Sequence, residues 1–140
     1  MSRHWLWCGL LCVGCVGGSQ RQTDVQFQQY YAEGEGLYLQ HCANCHQTNG
    51  AGLGRVYPPL ANSDYIKDNA AAVVCLMKYG IKDELVVNGV RYNKPMPGIP
   101  TLTNLELAEL ATYIANSWGN SGPMVHVSAV PAIIEDCNPQ

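Results

Sequence analysis

The sequence predicts a mainly α-helical fold, one small domain with a single short hairpin, and three observations predict it. Apolar residues recur at helical spacing behind a capping-box start at Thr103-Asn104-Leu105-Glu106, with Leu107, Leu110, Ala111, Ile114 and Trp118 following as far as Gly119. The strand signal is confined to Val86-Val87-Asn88-Gly89-Val90-Arg91-Tyr92, where Asn-Gly tolerates the positive φ angles of a type I′ turn between β-favouring flanks. Cys42-Ala43-Asn44-Cys45-His46 sets two thiols three positions apart with a histidine directly after them, the spacing that covalently holds a c-type haem.

At the N-terminus, residues 1–14 read as an export signal. Arg3 and His4 make a short basic start, and Trp5 to Val13 is an apolar run too short to span a bilayer. Leu11-Cys12-Val13-Gly14-Cys15 follows and resembles a bacterial lipobox, in which the cysteine, here Cys15, is lipidated and becomes the new N-terminus; Cys12 stands where leucine is usual. A signal-peptidase cut near Val16-Gly17-Gly18-Ser19 is the alternative and leaves no anchor. Residues 15–31 then comprise the anchor site and a flexible tether, because Ser19 to Gln29 is polar and Gln-rich. The domain itself spans residues 32–120, and residues 121–140 form a tail packed on it.

The first helix is expected from Ala32 to Cys45. It contains Gly34 and Gly36 despite a propensity cost of about 1 kcal/mol each, which predicts close packing there. In a helix, Cys42 and Cys45 lie on adjacent turns of one face, where their sulfurs can add to the vinyl groups on one edge of a porphyrin, and His46 falls under the iron. A redox dithiol would sit within a thioredoxin-like βαβ pattern, and a structural zinc site needs a second Cys/His pair at ligand spacing; the sequence has neither. Gln47 to Leu60 is rich in Gly and Pro and reads as a loop folding over one side of the haem. Asp68 is the expected N-cap of a middle helix with Val73, Val74 and Met77 on one face, stopping at Gly80. The Asn88-Gly89 hairpin positions the segment after it, whereas the tail, with Pro123, Pro131 and Cys137, has too little pattern to assign.

Composition narrows the classes. The chain carries 8 Lys and Arg against 11 Asp and Glu, a net charge of −3, and has no basic stripe of the kind that grips nucleic acid. With the signal removed, about 125 residues build one modest core, to which a covalent haem adds a large apolar body. Of 7 cysteines, Cys8 and Cys12 leave with the signal, Cys15 carries lipid, and Cys42 and Cys45 carry haem. Cys75 and Cys137 remain, and in the oxidising compartment of an exported protein they are expected to pair; a buried thiol at Cys75 with a loose one near the C-terminus is the alternative.

The iron needs a sixth ligand. Lys94-Pro95-Met96-Pro97-Gly98 places a thioether in a rigid loop between two prolines, so Met96 is the favoured ligand. Met77 sits on the apolar face of a helix, where methionine more often fills core. Met124 and His126 lie in the tail and His41 is next to a haem cysteine; an open or water-bound iron is the remaining alternative.

From Glu33 to Asn120 the chain resembles a class I, mono-haem cytochrome c. The resemblance is carried by Gly34-x-x-x-Tyr38 before Cys42-x-x-Cys45-His46, by Pro58-Pro59-Leu60, by Met96-Pro97-Gly98 and by Leu110-x-x-Tyr113. It implies that the first and last helices cross at Gly34, Tyr38, Leu110 and Tyr113, and that the Pro58 carbonyl accepts a hydrogen bond from Nδ1 of His46, fixing the ring and strengthening it as a donor to iron. Arg55, just before that segment, resembles a haem-propionate partner, with an ordinary solvated arginine as the alternative. The long tail with its extra cysteine departs from the compact family pattern.

The expectation is an electron carrier and not a catalyst. Histidine and methionine in both axial positions leave exchange of one electron as the useful chemistry. A monomer on the periplasmic side, anchored through lipid, would dock briefly with a redox donor and then an acceptor through the edge near Cys42 and Cys45. Lys78, Lys82, Arg91 and Lys94 could form a docking patch, although Asp83 and Glu84 interrupt them and a solvated mixed-charge surface is the plainer expectation. A five-coordinate peroxidase-like enzyme or gas sensor, and the haem subunit of a larger dehydrogenase or terminal reductase, are the other classes this sequence allows.

Overall fold

The computed structural model describes residues 18–67 and 69–137. The export signal at 1–14, the lipidation position Cys15 and the expected N-cap Asp68 lie outside the described residues.

Helix α1 spans Gly18–His41, and after a break at Cys42 the single turn α2 spans Ala43–His46. The chain from 19 to 29, expected as a flexible tether, instead forms the first turns of α1, so that helix begins well before Ala32. The cause is partly local, since glutamine is a good helix former and no proline interrupts. It is also tertiary: Phe27 stacks on Tyr31 at 6.1 Å, Tyr31 meets Tyr113 at 5.0 Å, and Tyr30 is buried. At Gly34 the helix approaches α4, Asn104–Ala115, so closely that a methyl group would stand 2.7 Å from Cβ of Tyr113 and collide with the Glu109 carbonyl. Gly36 faces open space, so the close packing expected there is absent.

Helix α3, Ala70–Tyr79, buries Val73, Val74 and Met77 and stops at Gly80, whose φ is 77°. Its N-cap is Asn69, with no side-chain cap bond. The chain then makes β1, Gly80–Ile81, and a hairpin of β2, Leu85–Val87, with β3, Val90–Tyr92. Asn88 and Gly89 turn that hairpin at φ 50° and 75°. Strand β4, Met96–Pro97, returns antiparallel to β1 with Met96 opposite Ile81 and Pro97 opposite Gly80. This two-residue pairing has no sequence pattern and was not expected.

The capping box of α4 is complete: Thr103 accepts from the Glu106 amide, and Glu106 accepts from the Thr103 amide at 2.8 Å. The helix ends at Ala115, short of the expected Gly119, because side chains capture its last carbonyls. Asn116 donates to Thr112 at 2.9 Å, Ser117 to Tyr113 at 2.7 Å and Asn120 to Ile114 at 3.0 Å. Trp118 consequently lies beyond the helix at φ 51° but keeps its inward place, 4.7 Å from the Tyr38 ring and 5.3 Å from Tyr113.

The described part of the tail, residues 121–137, is structured. A single 3₁₀ turn, Val127–Ala129, leads into α5, Val130–Asp136, where Pro131 occupies an early helical position that needs no amide. Val130 is fully buried, and the buried Thr112 hydroxyl donates to Ala108 while accepting from the Val125 amide at 3.0 Å. A disulfide joins Cys75 of α3 to Cys137. The core therefore lies between α1, α3 and α4, with Tyr38, Val74, Leu107 and Leu110 fully buried.

Candidate haem-binding site

Cys42, Cys45 and His46 reach one place because α1 ends where α2 begins. The Cys42 amide is the last to bond back into α1, at 2.9 Å to Tyr38, and the Cys42 carbonyl then accepts from His46 at 3.0 Å. The Tyr38 hydroxyl donates to the Gln47 carbonyl at 2.6 Å and so pins the exit of α2. Burial raises the phenol well above its ordinary range, with Cys42 and Tyr113 adding to it, and it remains a donor. Both cysteines of the motif are free thiols, Cys42 buried and Cys45 half-buried. Burial first, and Cys45 second, pushes the Cys42 thiol up to about 11.

His46 is 8% exposed, and its Nδ1 stands 3.0 Å from the Pro58 carbonyl. A carbonyl only accepts, so Nδ1 carries the proton and Nε2 keeps the free lone pair. Burial lowers the ring's pKa below its ordinary value, and the Pro58 bond opposes this in part. The buried ring is therefore held neutral, the form that ligates metal. The loop after α2 closes on itself to deliver Pro58: the Gly52 amide bonds the His46 carbonyl at 3.0 Å and the Leu53 amide bonds the Tyr57 carbonyl at 3.0 Å.

Two cavities adjoin this ring. They share a wall of His46, Pro58, Leu76, Leu85 and Met96. One extends past Cys42 toward Leu60, Val73, Met77 and Val87, and the other past Cys45 toward Tyr57, Ile81, Tyr92 and Lys94. Met96 is half-buried and lines both, whereas Met77 lines only the Cys42 side and is 2% exposed. Met124 packs on the core, His126 and His41 are exposed, and none of the three lines either cavity. Arg55 is exposed and lines neither. No described tail residue lines them. A larger, more open cavity bordered by Asn62, Asp64, Lys67, Asn120 and Pro123 holds none of the motif residues.

This donor set fits a haem. A neutral imidazole and a thioether line the same apolar cavities, and two free thiols stand beside them, one to each cavity. A metal-only site has no such support, because among the described residues no three His, Cys, Asp or Glu gather to hold an ion. Leu76 and Leu85 were missed as wall residues, since one leucine in a helix and one in a strand carry no signal beyond core. Of the expected cationic patch, Lys78 is bonded to main-chain carbonyls and Arg91 pairs with Glu84 at 2.6 Å, leaving Lys82 and Lys94 exposed. Lys94 stands 5.9 Å above the Tyr57 ring at the Cys45 side.

Comparison with known proteins gives a consistent picture. The family model for cytochrome c matches residues 31–118. Cytochrome c-552 of Thermus thermophilus is 32% identical over 94 residues, covering 64% of this chain and 71% of that protein. The cytochrome c subunit of the quinone alcohol dehydrogenase of Gluconobacter oxydans is 32% identical over 93 residues, and the matched part spans 19% of that subunit. The corresponding subunit of Komagataeibacter europaeus is 31% identical over 94 residues.

Proposed function

The chain belongs to the cytochrome c family and binds haem c covalently, and from that premise we propose that it carries single electrons through an iron held between His46 and Met96. When bound, the haem supplies exchange of one electron between ferrous and ferric iron. The protein's part is to hold the ligands still. Pro58 fixes the tautomer and direction of His46, and the paired strands β1 and β4 carry Met96. Leu76, Leu85, Val73 and Ile81 keep the surroundings apolar, which with Met/His ligation favours the ferrous form.

The observation that carries this reading is that His46 and Met96 alone combine an iron-ligating atom with a place in the wall shared by both cavities. Docking would use the Cys45 side. Tyr57 and Lys94 line that cavity, and the exposed Leu53, Arg55 and Val56 of the loop leading to Tyr57 would give a surface suited to brief, weak encounters with a partner that presents carboxylates around an apolar centre. Export to the periplasmic side and lipidation at Cys15 rest on the sequence of residues 1–19. No helix of the described residues is long and apolar enough to cross a membrane.

Carbon monoxide tests the carrier reading. The reduced holoprotein should titrate reversibly as a one-electron couple and its spectrum should not respond to carbon monoxide. Prompt binding of carbon monoxide would mean an open iron position and favour a catalyst or gas sensor. The likeness to a dehydrogenase cytochrome subunit supports a second reading, in which the domain passes electrons within a stable complex. Recovery of the native protein from solubilised membranes at the mass of a complex with a dehydrogenase would favour it, and recovery as a monomer would exclude it.

A further inference from the structure

Lys78 is the last basic residue of α3, and its side chain does not serve the solvent. Its Nζ donates to the carbonyls of Pro100 at 2.8 Å and Leu102 at 3.0 Å, residues far along the chain that follow Met96. The same stretch is fastened to α3 twice more. The Ile99 amide donates to the Met77 carbonyl at 2.8 Å, and β4 pairs with β1, which directly continues α3. Gly98 lies so close to Tyr79 and Gly80 that a Cβ would collide with their backbone. The strap from Met96 to Leu102 is therefore mounted on the C-terminal end of α3, and Lys78 is its only charged fastening among the described residues.

We propose that Lys78 is a positioning residue for the Met96 ligand, a proposal that rests on Met96 being the axial ligand. A methionine sulfur is a weak donor to ferric iron, so the bond persists only as far as the protein makes it costly for the strap to leave. Two charge-assisted hydrogen bonds from the ammonium of half-buried Lys78 hold the strap's far end, and a main-chain pair holds its near end. Lys78 thus keeps the thioether in place against competing ligands. The role distinguishes it from Lys82 and Lys94, which are exposed and hold no main-chain group.

Imidazole, an external nitrogen ligand that competes with methionine for ferric haem, reads this fastening directly. Imidazole is titrated into the oxidised holoprotein while the weak near-infrared band of a methionine-ligated ferric haem is followed, and global unfolding is measured separately. Lys78→Leu should bind imidazole about tenfold more tightly than the parent, whereas Lys78→Arg, which keeps a charged donor, should stay within roughly threefold. Lys82→Leu should match the parent. Lys78→Gln, a milder neutral change, serves if Lys78→Leu does not fold, with an expected tightening of about fivefold. A parent with the band whose imidazole affinity is unchanged by either neutral substitution overturns the clamp and leaves Met96 ligation standing. A parent that lacks the band overturns the ligation reading, and the clamp with it.

Discussion

The His46 ring has one hydrogen-bond partner in the described structure, the Pro58 carbonyl 3.0 Å from Nδ1, and that bond decides which nitrogen keeps its lone pair for the proposed iron ligation. The carbonyl is itself held by a close neighbour. Gly52, at φ 68°, lies so near Pro58 that a Cβ would stand 2.7 Å from both its carbonyl carbon and oxygen. Gly52→Ala should displace that carbonyl, weaken the ring as a donor to ferric iron and raise the reduction potential by on the order of tens of millivolts. Potentiometry checks this, and an unchanged potential in a folded variant would show that the carbonyl does not tune the iron. At this scale the sequence was readable for Cys42, Cys45 and His46, because the chemistry of attachment demands those types at that spacing. Gly52 was not, since one glycine among several in a loop reveals nothing about which carbonyl it faces. Lys78 looked like a surface charge for the same reason: its partners are main-chain carbonyls, which leave no mark on sequence.

The elements that sequence located best are those whose signal is local. Thr103 and Glu106 fix the start of α4, Asn88 and Gly89 fix the hairpin, and Gly80 fixes the end of α3. The early start of α1, the β1 and β4 pair and α5 were not legible, because they depend on contacts far along the chain: Tyr31 with Tyr113, Met96 with Ile81, and Val130 with the core. The Cys75–Cys137 pair that ties the tail down was legible from the cysteine count. Two predictions belong here. Gly34→Ala should lower stability by about 1–3 kcal/mol in denaturant titration, because α1 must retreat from the Glu109 carbonyl and Tyr113, whereas Gly36→Ala should be neutral or stabilising. The Glu106 carboxyl is held below the usual glutamate range, first by the Thr103 amide, then by the Thr103 hydroxyl. A lowered folded pKa means that its contribution is full above the ordinary glutamate range and is lost as pH falls through the lowered value. Glu106→Gln, which removes the titrating carboxyl, should therefore flatten that part of the acid side of the stability profile, and an identical slope in the two proteins would contradict the cap's role.

Across the whole molecule the tail and the site are separate. The disulfide ties Cys137, directly after α5, to Cys75 of α3, which lines neither cavity, and no described tail residue lines either. Reducing Cys75–Cys137, which closes a loop of sequence separation 62, should cost about 2–4 kcal/mol of stability and leave the oxidised spectrum unchanged. A spectral change on reduction would show that the staple also supports the ligands. The central claim is narrower: His46 and Met96 both bind the iron, which closes it to external ligands and leaves electron transfer as its chemistry. The near-infrared absorption of the oxidised holoprotein tests it most directly. The account predicts the weak methionine band in the parent and its loss, with a high-spin spectrum, in Met96→Ala; a parent without the band, or a Met96→Ala protein that retains it, would contradict it.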